Sequence, residues 1–85
     1  MSSVPWNAII SCHGIHGHGE TSLQLFQAMQ DEGVKPEHVT FVSLLSACSH
    51  LGLVDQGQWC FRVMQEEYGI KPSLMHYGCM VDLDT

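Results

Sequence analysis

Apolar residues recur along the chain at spacings of three and four, in short runs separated by glycines and prolines. This pattern is typical of amphipathic helices, and no stretch alternates with the period of two that marks a strand. Each helix is expected to bury one face. The expected faces are, in order, Trp6, Ile9, Ile10 and His13; Leu23, Phe26 and Met29; Phe41, Leu44, Leu45 and Cys48; and Trp59, Cys60, Val63 and Met64. The sequence therefore predicts an all-α fold.

Glycines and prolines mark the expected helix ends. Ser3 can cap a first helix and Pro5 fits its first turn, whereas Gly33 and Pro36 end the second helix. The remaining expected breaks are Gly14–Gly19, Ser49–Gly52, and Gly69 with Pro72. A fifth helix is expected over Leu74–Leu83, without a partner helix.

The chain repeats itself with a period in the thirties. Moving Val4–Pro36 along by 35 residues brings Trp6 onto Phe41 and Gly17 onto Gly52, and one inserted residue, Tyr68, restores the match at Pro72. Such a period predicts an α-solenoid of tandem helix-turn-helix repeats, here two repeats and a truncated third. Because the last helix has no mate, we expect self-association or fraying there, through Met75, Tyr77, Met80, Val81 and Leu83.

Composition narrows the possible functions. The chain has 85 residues and a net charge of −6, the wrong sign for a strong electrostatic attraction to phosphates. The four cysteines lie in no CxxC pair, so buried reduced thiols are expected. No apolar stretch is long enough to span a membrane. The first five residues resemble no signal or transit peptide, and if the parent protein enters an organelle, its targeting segment is expected upstream.

No catalytic or cofactor site is expected. His13, His16 and His18 lie close together near Cys12, but their spacing matches no established zinc pattern. The acidic pairs at 31–32 and 66–67 are adjacent on their helices, so their side chains do not face each other as a catalytic dyad would. The chain contains no zinc-deaminase signature.

Several longer motifs resemble the pentatricopeptide repeat family of plants. They are WNAII, LQLFQAM and GVKP in the first unit, then VTFVSLLSACSHLGLV and YGIKP in the second. The resemblance is closest to the subclass of alternating P-, L- and S-type units found in E- and DYW-type editing factors. It implies a P-type repeat at 3–37, an L-type repeat at 38–73, and the start of an S-type repeat at 74–85.

The resemblance also implies a function. Proteins of this family bind single-stranded organellar RNA, and this subclass specifies cytidines for cytidine-to-uridine editing in mitochondria or chloroplasts, together with editing-complex proteins. The residues that would face a base are Asn7 and Glu37 in the first unit and Val42 and Ser73 in the second, with Val4 and Val39 enclosing the base. The aromatic residues of the first helices, Trp6, Phe41 and Tyr77, are interpreted as packing residues rather than stacking platforms.

Some positions depart from the family pattern. Glu37 stands where Asp or Asn is usual, which leaves the base preference open, and Val42 cannot form a hydrogen bond with a base. The chain continues Val81-Asp82-Leu83-Asp84-Thr85 where the family continues Leu-Gly-Arg-Ala-Gly. Two alternatives therefore stand beside RNA binding: a protein–protein interaction module, which the acidic charge favours, and a truncated fragment without function.

Overall fold

The computed structural model describes residues 3–84 and shows five helices and no strand within that range. The helices are α1 (Val4–Ile15), α2 (Gly19–Asp31), α3 (His38–Leu51), α4 (Val54–Glu66) and α5 (Leu74–Asp84). They form two helical hairpins, α1–α2 and α3–α4, followed by α5. The predicted all-α class is confirmed.

Helix α3 is the centre of the structure, because it packs against each of the other four helices. The first helices of the units, α1, α3 and α5, lie side by side as one layer. The backbones of α2 and α4 do not approach each other, although Phe26 and Trp59 meet edge to face with ring centroids 6.2 Å apart. The buried core comprises Ile10, Phe26, Met29, Val34, Phe41, Leu44, Leu45, Cys60, Val63 and Met64.

The inserted residue Tyr68 connects the two units at the end of α4. Its ring packs against Phe41, with centroids 5.8 Å apart, and its hydroxyl accepts a hydrogen bond from the side chain of Gln30 in α2. The extra residue that breaks the sequence period thus has a structural use, since it fills the gap between the second helices.

A close approach of two backbones defines how α1 crosses α3. A Cβ atom placed on Gly14 would lie 2.6 Å from the Cβ of Ala47, so only glycine fits at this position. Gly14 was predicted to end the first helix, but it lies buried inside α1, which continues to Ile15. Gly17 makes the turn instead, with a positive φ of 79°.

Two other expected boundaries also shift. The predicted turn at Ser49–Gly52 is helical as far as Leu51, and Gly52 ends α3 in the left-handed conformation. Helix α3 therefore continues until a glycine with a positive φ ends it. The sequence predicts that α4 opens at Asp55, whose negative charge is favourable near the amino end of a helix, but the helix begins one residue earlier, at Val54.

The predicted apolar faces are correct in part. Ile10, Phe26 and Cys48 are buried as expected, but Ile9 is 46% exposed and Trp59 is 40% exposed. Cys12 is also exposed, so its expected burial is wrong, although all four cysteines are free thiols. Of the aromatic residues in the first helices, Phe41 is fully buried and Trp6 packs against the core, whereas Tyr77 is half exposed beside Phe61.

The prediction that the last helix has no partner is wrong. Helix α5 packs against α3 and α4, and Leu83 is buried against Gly57. Its other face is open, with Leu74, Met75, Tyr77 and Val81 exposed. None of the helices in the described part of the chain is long and apolar enough to cross a membrane.

Candidate nucleic-acid interface

The acidic residues of the chain avoid the first helices of the two complete units. Helices α1 and α3 contain no Asp or Glu, and their ionisable groups other than Cys12 and Cys48 are histidines. The carboxylates lie on α2, α4, α5 and the segments that connect the helices. The net charge of −6 is therefore not spread over the surface that α1 and α3 form.

Asn7 lies in α1 and faces the first turn of α3. It is 7% exposed, and its Oδ1 accepts a hydrogen bond of 2.6 Å from the hydroxyl of Thr40. No fully buried side-chain nitrogen or oxygen lacks a partner in the described part of the chain. Since Nδ2 of Asn7 has no hydrogen-bond partner among those same residues, its N–H groups reach solvent.

Glu37 precedes α3 and caps it. Its backbone N–H donates to Thr40 Oγ1 at 3.0 Å, and its carboxylate accepts from the backbone N–H of Thr40, so the two residues form a reciprocal capping box. The side chain of Glu37 remains exposed to solvent. Asn7 and Glu37, which the family resemblance pairs, are thus connected through Thr40.

The two valines expected to enclose a base are both on the surface. Val4 is 68% exposed at the start of α1, and Val39 is 53% exposed at the start of α3. Single exposed aliphatic side chains are common on protein surfaces, whereas neighbouring ones mark contact surfaces. Here they occupy equivalent positions on adjacent first helices.

The second unit arranges its corresponding residues differently. Val42 replaces Asn7 and is half-buried, while Ser73 replaces Glu37 before α5. His76, fully buried at the position of Thr40, accepts a hydrogen bond from the backbone N–H of Ser73 at 3.0 Å and donates through Nε2 to the carbonyl of His38 at 3.1 Å. The hydroxyl of Ser73 lies 3.1 Å from His76 Nδ1 and 3.0 Å from His38 Nε2.

These contacts occupy Ser73 within the protein. Both of its polar groups are engaged with histidines, and Val42 offers no hydrogen bond. The second unit therefore presents to a ligand a surface that is mostly apolar, in contrast to the amide of the first unit.

Burial lowers the pKa of His76, and this gives the fold a pH dependence. The folded ring is neutral, with Nδ1 accepting and Nε2 donating, so a second proton would remove an acceptor. The unfolded chain takes up that proton more readily. We expect the contribution of His76 to the free energy of unfolding to be constant at pH values above the ordinary histidine pKa of about 6.5. This contribution should fall as the pH drops below that value, until the pH reaches the pKa of His76 in the folded state.

Urea unfolding at a series of pH values between about 8 and 5 checks this expectation. The His76→Gln variant should lose the part of the decrease that belongs to His76. The exposed His50 provides the matched control, and His50→Gln should retain the full decrease. An identical pH dependence in the wild type and in His76→Gln would contradict the assignment.

A seam of small and polar residues runs between α1 and α3, beginning at Asn7 and Thr40. Ser11 lies one turn after Asn7, and with Ser43, Ser46 and His50 it lines a shallow groove of about 130 Å³. Hydroxyl and imidazole groups at such a groove can donate to or accept from a nucleotide without adding negative charge. Gly14 and Ala47, which meet where the two helices cross, also line this groove.

The histidines near the end of α1 make local contacts. His16 Nδ1 lies 2.8 Å from the carbonyl oxygen of Cys12, and the rings of His13 and His18 are 5.9 Å apart. Among the residues described, no group of three or more His, Cys, Asp or Glu side chains is placed to hold a metal ion.

Comparison with known proteins places these features in a family. Residues 1–50 match the model of the PPR repeat family, and residues 39–68 match a single PPR repeat. The chain is 70% identical over 83 residues to a pentatricopeptide repeat-containing protein of Arabidopsis thaliana, a match that covers 98% of this chain. The chain belongs to the pentatricopeptide repeat family.

Other members of the pentatricopeptide repeat family match nearly as much of the chain. The chain is 51% identical over 80 residues to CRR2, chloroplastic, and 53% identical over 78 residues to a mitochondrial member, both from Arabidopsis thaliana. These matches cover 94% and 92% of the chain but 12% of each relative, and the first relative is covered to 10%. The chain thus spans about a tenth of the length of the curated relatives it matches.

The sequence reasoning did not assign a role at the site to Thr40 or His76. Both occupy the third position of a first helix, three residues after the capping residue, and each is a buried polar side chain on an otherwise apolar face. The sequence did offer a signal for their role: a polar residue stands at this position in two successive pentatricopeptide units. Such a residue can form hydrogen bonds both with the capping residue and with the preceding unit.

Proposed function

We propose that this chain forms part of the RNA-binding surface of an organellar pentatricopeptide repeat protein, with Asn7 and Glu37 facing one base. The observation that carries the proposal is the Asn7 amide. Its carbonyl oxygen is satisfied inside the protein and its N–H groups reach solvent, beside the exposed Val4. Helical-repeat readers of RNA use two or three side chains per base, and stacking between apolar side chains supplies affinity.

The finer assignments are part of the same proposal. Units 3–37, 38–73 and 74–85 are P-type, L-type and the start of S-type repeats, and the parent protein specifies cytidines for editing with other proteins of an editing complex. Relatives named chloroplastic and mitochondrial support an organellar location. Helices α1 and α3 themselves carry no carboxylate, which supports RNA as the ligand, and the acidic group that this proposal places against the RNA is Glu37, at the amino end of α3.

A protein-binding role is the second candidate, and one observation favours it. Helices α2 and α4 end in the acidic pairs Asp31-Glu32 and Glu66-Glu67, and Trp59 is 40% exposed on α4. An exposed aromatic side chain on a helix that ends in an acidic pair suits a basic protein partner better than RNA. The two candidates use different faces, so one titration separates them.

Titration of the ¹⁵N-labelled chain with the single-stranded hexanucleotide UCUCUC, followed by NMR at low salt, tests RNA binding. We expect resonance changes around Val4, Asn7 and Val39, and not on α2 or α4. Asn7→Ala should weaken binding about threefold to tenfold, because one base loses a hydrogen bond. Gln27→Ala, a change of an exposed amide on α2, is the matched control and should leave binding unchanged. Changes confined to α2 and α4 would contradict the proposal.

The editing role has its own test. Disruption of the gene in its plant, followed by sequencing of mitochondrial and chloroplast transcripts, should reveal specific cytidines that are no longer converted to uridine. Normal editing at every site in both organelles would exclude the editing role while leaving RNA binding to be judged from the titration.

A further inference from the structure

Two cysteine thiols meet in the buried core of the second unit. Cys48 lies in the last turn of α3 and Cys60 lies in the middle of α4, and both side chains are buried. The thiol of Cys60 donates a hydrogen bond to the sulfur of Cys48. The corresponding residues of the first unit are His13 and Leu25, so the pair is a feature of the second unit.

Helices α3 and α4 approach each other closely beside the two sulfurs. Gly57 lies about one turn before Cys60, and a Cβ atom placed on it would lie 3.4 Å from the Cβ of Cys48. Because both cysteines are held on packed helices, their sulfurs stay within hydrogen-bond reach of each other. The effective concentration of one thiol for the other is therefore high.

The hydrogen bond makes the two thiols unequal. It lowers the pKa of Cys48, which accepts it, although burial alone would raise that pKa. The same bond and burial raise the pKa of Cys60, which donates it. Since the thiolate is the reactive form of cysteine, Cys48 is the sulfur that attacks first and Cys60 is the one that follows.

Leu83 covers this part of the core. It is buried near the carboxyl end of α5, and its side chain occupies the space that a Cβ atom of Gly57 would need, beside Cys48. A dissolved reagent can reach Cys48 only after a local opening, and separation of α5 from Gly57 is the opening that removes Leu83. The packing of α5 therefore controls access to the pair.

We propose that Cys48 and Cys60 are a redox-active pair that a low-molecular-weight disulfide, such as glutathione disulfide, converts into a covalent bond between α3 and α4. The Cys48 thiolate attacks one sulfur of glutathione disulfide and releases one glutathione. Cys60 then attacks the Cys48 sulfur of the mixed disulfide and releases the second glutathione. Two cysteine thiols are oxidised to one disulfide, glutathione disulfide is reduced to two glutathione molecules, and these take up the two protons. The proposal does not depend on RNA binding.

The experiment incubates the folded chain with glutathione disulfide, unfolds it in N-ethylmaleimide to block free thiols, and cleaves it after glutamate residues. This cleavage releases residues 38–66, a peptide that contains Cys48 and Cys60 and neither of the other two cysteines. Mass spectrometry should show this peptide without maleimide and lighter than the reduced peptide by two hydrogen atoms. Cys60→Ser should abolish that product, whereas Cys12→Ser, the matched change of an exposed thiol, should leave it unchanged.

The oxidised chain should also be more stable. A disulfide that closes a loop of about a dozen residues restricts the unfolded chain, so Tm should rise by about 5–15 °C and return to its original value after reduction with dithiothreitol. Leu83→Ala should speed formation of the bond about tenfold, because α5 is held less firmly. Val81→Ala, on the exposed face of the same helix, should change the rate less than about twofold.

Several outcomes would overturn the proposal. One is a peptide 38–66 that takes up maleimide on both cysteines, or keeps glutathione on either of them, after long incubation with excess oxidant. Formation of the bond only in urea, where the chain is unfolded, would be equally decisive. Equal rates in the wild type and in Leu83→Ala would overturn the control of access by Leu83.

Discussion

Replacing Phe41 with alanine is expected to remove a large share of the free energy of unfolding of the chain. Phe41 is fully buried in the central helix α3, where its ring meets Phe26 at 5.4 Å and Tyr68 at 5.8 Å. Truncation of a buried phenylalanine costs about 3–5 kcal/mol through lost transfer free energy and the cavity that remains. A domain of 85 residues has about 4–13 kcal/mol of total stability, so the loss is a large share.

Urea unfolding followed by circular dichroism at the helix band measures this effect. Tyr77→Ala provides the comparison, because Tyr77 is the corresponding aromatic residue of α5 and is 50% exposed. We expect Tyr77→Ala to lower the free energy of unfolding by less than about 1 kcal/mol. If the two variants lost similar stability, Phe41 would not be the centre of the core that joins the two units.

The second large effect is expected from the smallest substitution, Gly14→Ala. Alanine favours a helix over glycine by about 1 kcal/mol. Here the new Cβ would lie 2.6 Å from the Cβ of Ala47 and 3.4 Å from its Cα, and neither atom belongs to a flexible side chain. Helices α1 and α3 would have to separate, so we expect a net loss of about 1–3 kcal/mol.

A double-mutant cycle identifies the cause. Ala47→Gly removes the opposing methyl group, so the double variant Gly14→Ala/Ala47→Gly should recover most of the packing, with a coupling of about 1–3 kcal/mol. Gly78→Ala is the matched control: it lies in α5 with open space around its Cα, and it should raise stability by about 0.5–1 kcal/mol. A Gly14→Ala variant as stable as the wild type would contradict the close crossing.

The separation of α1 from α3 has a consequence for the site as well. The contact of Gly14 with Ala47 lies on the same seam as the Asn7–Thr40 hydrogen bond, two turns further along α1. A variant that spreads the helices at one end of the seam should disturb the amide at the other. The side-chain resonances of Asn7 in Gly14→Ala report on this coupling.

Much of the fold could be predicted from the sequence because the signals are local. The spacing of Phe26 and Met29, and of Phe41 with Leu44 and Leu45, follows from helix geometry, and all of these residues are buried. The repeat period located the hairpins. The errors occurred where neighbouring units decide the outcome: Ile9 satisfies the same spacing as Ile10 but is 46% exposed. Spacing gives a face of a helix, but only the crossing angle with the next helix decides which edge of that face is covered.

The candidate site, like the fold, has features that the sequence indicated and features that only the structure shows. The sequence indicated Asn7 and Glu37 through the family resemblance, and it could exclude hydrogen bonding by Val42 from its side chain alone. The contact of Ser73 with His76, three positions along, is local, but its contact with His38 could not be read from the sequence, because residues 35 positions apart meet only after the units stack. The predicted partnerless last helix is wrong for the same reason, since Leu83 is buried beside Gly57 through contacts between α5 and the preceding hairpin.

The sequence by itself determined the helices, the two-unit repeat and the family, because helix periodicity, glycine and proline positions, and the repeat motifs are all encoded in residues close together in the chain. Only the tertiary structure decided that Gly14 is a helix contact, that Tyr68 joins the second helices, and that the Asn7 amide is oriented by Thr40. Each of these depends on residues about 30 to 40 positions apart. Their distances and hydrogen-bond directions are set when one unit packs against the next.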